Sequence, residues 1–107
     1  VTDLEMTKLC AEAMGFSVCI TRDDNPNFDH YRRMAISEVY DPLHDNAQAM
    51  ALVKKLKLCC AWQPNIGDWW VHPIGGKPES YAQDLNRAIV ECCARMQKAN
   101  NDAKNKD

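Results

Sequence analysis

Two apolar runs, LCCAWQ at residues 58–63 and WWVHP at 69–73, flank a five-residue connection, PNIGD, that contains a glycine. That arrangement predicts an antiparallel hairpin. Side chains of a strand alternate between its two faces, so Trp69 and Val71 point one way while Trp70 and His72 point the other. A ribbon with a large aromatic on each face is not stable alone in water. Both faces must be covered, or one must be left to meet a partner, and either solution calls for a small sheet with helices packed on it.

The rest of the chain supplies those helices. In the opening segment Met6, Leu9, Cys10, Ala13 and Met14 recur at intervals of three and four, with Thr7, Lys8 and Glu12 on the opposite side. Thr2 three residues before Glu5 has the spacing of a capping box, and Gly15 can adopt the left-handed conformation that ends a helix. A second helix follows the break DPLHDN, where Ala49, Leu52, Val53 and Leu56 form the apolar face. Lys54, Lys55 and Lys57 lie mostly off that face and complement the carbonyls of the last turn. A third helix is expected over residues 81–97, capped by Ser80, burying Tyr81, Leu85, Ala88, Ile89, Cys92 and Met96. Arg87, Glu91 and Arg95 add spaced opposite charges along it.

Between the first two helices, FSVCI (16–20) reads as a strand and TRDDNPN (21–27) as a loop. RMAIS reads as a further strand with Met34 and Ile36 on one side, and Tyr31, Arg32 and Arg33 at its start. The expected order is α-β-β-α-β-β-α, a small α/β (α+β) helix–sheet–helix sandwich. It forms a single domain over residues 1–98, since 107 residues suffice for one ordinary core and not two. The polar end of the chain, residues 99–107, carries no apolar stripe and is expected to fray.

Charge narrows the function classes. Thirteen basic and fifteen acidic residues give a net −2, too little field to gather nucleic acid around the whole molecule and too little acidity to imitate it. Charged residues interrupt the first twenty positions, and no later stretch is apolar for long enough to span a bilayer. A cytoplasmic protein without a membrane partner is the expectation.

The chemical motifs are weak. The six cysteines, Cys10, Cys19, Cys59, Cys60, Cys92 and Cys93, contain no C-x-x-C, and adjacent thiols diverge in either regular structure, so they are read as core filling rather than as metal ligands. GGK at 75–77 is followed by Pro78 where a phosphate loop would carry a hydroxyl. His30, His44 and His72 each have an acidic residue near in sequence without forming a recognised ligand spacing. Asp23, Asp24, Asp29, Glu38 and Asp41 sit around expected loops and strand ends and define no catalytic pair. No cofactor is expected, and binding is favoured over catalysis. The residues assigned to a protein-binding surface are Tyr31, Arg32, Arg33, Trp70 and His72, since aromatic and arginine side chains dominate interface energetics.

The opening helix ending AMGF, the run YDPLHDNAQAMALVKKL, the tryptophan hairpin and DLNRAIVECCARM together cover most of residues 4–97. In these features the chain resembles the phage ABA sandwich domain family. The resemblance implies a phage or prophage origin, a bacterial host and an accessory role, with a host or phage protein as partner and self-association an option. It supplies no catalytic residue, and RDDNPNFDHYRR departs from the family pattern. Nucleic-acid binding, or less readily a small hydrolase, is the alternative function.

Overall fold

The computed structural model describes residues 2–16, 18–22, 29–33 and 38–104; for 18–22, 29–33 and residue 38 the description is of the backbone. The elements run α1 (Asp3–Met14), β1 (Val18–Arg22), β2 (Asp29–Arg33), β3 (Glu38–Tyr40), α2 (Asn46–Leu56), β4 (Leu58–Gln63), β5 (Asp68–Pro73), β6 (Ser80–Ala82) and α3 (Leu85–Lys104). The fold is α+β, with the expected order of helices and strands enlarged by one strand in each half.

Local chemistry sets the helix ends. The Thr2 hydroxyl accepts the Glu5 N–H at 3.1 Å, which starts α1 where the capping spacing places it. At its other end Gly15 sits at φ +79°, and the N–H groups of Gly15 and Phe16 return to the carbonyls of Glu12 and Ala11. These are the two bonds of a Schellman motif, whose left-handed residue is least strained when it is glycine. Asp45 caps α2 by accepting the Gln48 N–H at 3.0 Å. Thr7, read from its spacing as part of the polar side of α1, is instead buried, its hydroxyl satisfied by the Asp3 carbonyl at 2.9 Å.

Two three-stranded antiparallel sheets result, ordered β1-β2-β3 and β4-β5-β6. In the first, Tyr31 pairs with Ile20 on one side and Tyr40 on the other. Tyr31, Arg32 and Arg33, expected at the start of a strand, lie inside β2, Asp29–Arg33; the strand expected at RMAIS, with Met34 and Ile36, falls from residue 34 on outside the described residues. In the second sheet the hairpin register is Trp62↔Trp69, Ala61↔Trp70 and Cys60↔Val71, closed by the turn after Gln63.

α3 organises the core. It packs against α1, α2 and the strands β5 and β6, and it buries Ala88, Ile89, Val90, Cys92, Cys93 and Ala94, more than one stripe, because neighbours lie on several sides of it. Val71 and Leu52 complete the interior from the sheet and from α2.

Two expectations about α3 are corrected. Ser80 does not cap it: residues 80–82 form β6, which pairs with β5 through Trp70↔Tyr81 and Val71↔Ser80, and Asp84 takes the capping role by accepting the Arg87 N–H at 3.1 Å. Pairing to an otherwise open edge of β5 outweighs the helical spacing of Tyr81 with Leu85. Nor does α3 fray at residue 99; it runs through Lys104. Asn101 explains the extension, accepting from Gln97 one turn earlier at 3.0 Å and donating to the Glu12 carboxylate of α1 at 3.1 Å. Residues 105–107 lie outside the described residues. Among the described residues no helix is long and apolar enough to cross a membrane.

Candidate functional site

The second sheet has two unlike faces. Val71, fully buried, and Trp69, half-buried, point from β5 toward the helices, joined by buried Ser80 from β6. Trp69 meets Trp62 across the hairpin edge to face, with ring centroids 5.5 Å apart. Alternation then sends Trp70 and His72 to the opposite face, with Ala61 and Cys59 beside them on β4 and Tyr81 on β6. None of these five residues is fully buried.

The aromatic side chains of this outer face are held in place. The His72 ring lies 4.2 Å from Trp70, centroid to centroid, tilted by 33°, and the Tyr81 ring is within 10° of parallel to Trp70 with centroids 6.4 Å apart. The Trp70 indole N–H donates to the Glu79 carboxylate at 2.9 Å, and His72 Nδ1 donates to the Pro73 carbonyl at 2.8 Å, which fixes the proton on that nitrogen. Arg95 of α3 donates to the Glu79 backbone carbonyl at 2.6 Å, tying the segment before β6 to the helix. Aromatic rings with locked orientation and a polar handle are the side chains that lose least entropy on meeting a partner. Asp68 and Glu79 give the face an acidic margin.

Of the residues assigned from the sequence, the structure therefore brings Trp70 and His72 together. Tyr31, Arg32 and Arg33 belong to the other sheet, in β2, and their side chains lie outside the described residues. Tyr81 and Glu79 complete the face, although helical spacing in the sequence makes Tyr81 the buried first residue of α3; it is instead 44% exposed on β6. The signal available for them was the competing cap, Asp84, which leaves 79–82 free to extend.

Other polar clusters have structural duties. His44 Nδ1 lies 2.8 Å from Asp41 Oδ2 in a turn closed by the His44 N–H to the Asp41 carbonyl. Gln48 fastens that turn to β3, accepting the Asp41 N–H at 2.7 Å and donating to the Val39 carbonyl at 2.8 Å. Arg87 grips the Asp3 carboxylate with both terminal nitrogens, at 2.9 and 3.2 Å, which lowers the Asp3 pKa. This pair rims a hollow of about 270 Å³ between α1 and α3, floored by Met6, Leu9 and Ala94.

Cys10, Cys92 and Cys93 fill the core as the sequence reading expects, with Cys10 against Cys93, whereas the adjacent pair on β4 does not. Cys10 donates to the Val90 carbonyl and Cys92 to the Pro78 carbonyl, while Cys59 and Cys60 are exposed. Hydrogen bonding to Cys93 together with burial raises the Cys10 pKa, and burial pushes Cys92 up to about 12, so both stay protonated at neutral pH and are poor nucleophiles. Among the described residues no group of three or more His, Cys, Asp or Glu converges as metal ligands. No protein-family model, curated protein or solved structure matches the chain.

Proposed function

We propose that the protein is a non-catalytic accessory protein of phage or prophage origin that binds a host or phage protein through the outer face of its second sheet. The observation supporting this reading is the constellation of Trp70, His72 and Tyr81, oriented by stacking and by the Trp70–Glu79 hydrogen bond on the face turned away from the helices. Immobilised aromatics of this kind act as interface anchors. The origin rests on the sequence resemblance and the binding role on the aromatic face. Arg32 and Arg33 remain in the proposal as a second contact on the other sheet.

Aromatic platforms on antiparallel sheets also stack nucleic-acid bases, which makes single-stranded nucleic acid the second reading. Asp68 on the same face and Glu79 beside Trp70 would repel phosphates, so protein is preferred. Affinity capture from lysogenic or infected cells, with the wild-type chain and Tyr81→Ala side by side, tests this. A protein retained by the first and lost by the second supports the proposal. Retention of nucleic acid alone, falling steeply with salt, would replace it.

A further inference from the structure

The helix-covered side of the second sheet is incomplete. α3 lies over β5 and β6, while β4, an outer strand, pairs with no other strand than β5 among the described residues. On that covered side Cys60 is exposed and Trp62 is 48% exposed, although their β5 partners Val71 and Trp69 are buried and half-buried. β4 is also unprotected as an edge. Its six residues, LCCAWQ, include no proline and no charge, the usual devices that keep a free strand edge from pairing.

We propose that a second copy of this chain covers β4: the two Leu58–Gln63 strands pair antiparallel about a twofold axis, making one continuous six-stranded sheet. Symmetry fixes much of the geometry. A twofold that reverses a strand beside itself must stand perpendicular to the sheet, so both helix layers fall on one side and both aromatic faces on the other. Residues opposite one another then share a face, which centres the pairing on Cys60 or on Ala61. In either register Cys60 and Trp62 of the two copies meet on the helix side and shield the apolar surface that each monomer leaves open.

The ends of the strand suit a second copy as well. Lys54 and Lys55 close α2 and Lys57 precedes β4, whereas Asp68 stands across from Gln63 at its far end. Antiparallel self-pairing sets the lysine end of one copy beside the aspartate end of the other, twice per dimer. The joined sheet would also present two Trp70–Tyr81 sets on one surface, so any partner of that surface would meet a bivalent protein.

Sedimentation equilibrium over a range of concentrations, combined with amide hydrogen exchange along β4, decides the matter. The expected result is a monomer–dimer equilibrium in which alternate β4 amides, those facing away from β5, gain protection as the dimer forms. Cys60→Lys and, on the opposite face, Ala61→Lys set like charges against one another near the axis and should weaken the dimer by about 100-fold or more. Circular dichroism shows whether each variant keeps its fold, and the exchange pattern of the unaltered chain is informative if one does not. A chain that stays monomeric throughout overturns the proposal, as does a dimer whose β4 amides show no added protection, or one that persists in both folded lysine variants.

Discussion

Trp69 and Trp70 are adjacent in sequence, occupy the same strand and have opposite surroundings. Trp69 faces the helices, beside buried Val71 and against Trp62; Trp70 faces outward, with His72, Tyr81 and a hydrogen bond to Glu79. Composition cannot distinguish two such residues. The difference comes from the pleat of the strand and from which side α3 packs on, and it divides one hairpin into a face that stabilises and a face available for contact.

The largest expected effect breaks the stabilising face. Trp69→Ala removes a half-buried indole and leaves a void beside the core, and should lower unfolding free energy by about 3 kcal/mol in urea or thermal denaturation. Trp70→Ala loses one charge-assisted hydrogen bond and two ring contacts at a partly wet site, and should cost about 1 to 2 kcal/mol. Equal losses in the two variants would abolish the contrast between the faces. A reversed order would mean that the outer face, too, is part of the core.

Much of this contrast was legible from the sequence, because it rests on local rules. Alternation placed Trp69 and Trp70 on opposite sides, the Thr2–Glu5 spacing located the start of α1, and Gly15 located its end. What escaped depends on residues far apart in the chain. Ser80 and Tyr81 satisfy the pattern of a capped helix, and only the open edge of β5 draws them into a strand. The segment after residue 98 has no apolar stripe, yet Asn101 finds Glu12, eighty-nine positions away, and the helix continues. The same limitation hid the outer face, since Tyr81 and Glu79 join Trp70 only once β6 has formed.

Acid–base behaviour sharpens the comparison from the covered side. Cys92 keeps its proton in the folded protein up to about 12, whereas in the unfolded chain the thiol ionises around its ordinary value of 9.0. The raised pKa leaves stability unaffected below 9.0; above it the unfolded state sheds protons that the folded state retains, so stability falls as pH climbs toward about 12. The slope contributed by one such thiol is at most about 1.4 kcal/mol per pH unit. Denaturation followed from neutral to alkaline pH should show this decline, and Cys92→Ala should make it shallower by one thiol's share, because buried Cys10 supplies the same dependence. An unchanged slope in the variant would mean that Cys92 ionises as readily folded as unfolded.

The smallest effect on stability is expected at Tyr81, and there the two faces separate most cleanly. Its ring is exposed, it lies on the short outer strand β6, and its contact with Trp70 is a parallel one at 6.4 Å rather than a close-packed one. Tyr81→Ala should therefore change unfolding free energy by no more than about 0.5 kcal/mol. Partner affinity is a different quantity. An aromatic anchor at the centre of an interface typically contributes about 2 kcal/mol or more, so the same variant should weaken capture of the partner by about 30-fold, with folding intact. Trp69→Ala should show the inverse, with a large loss of stability and, in whatever fraction stays folded, little loss of affinity per folded molecule. If Tyr81→Ala binds as well as the unaltered chain, the outer face is not the contact surface, and Arg32 and Arg33 on the first sheet become the next residues to replace.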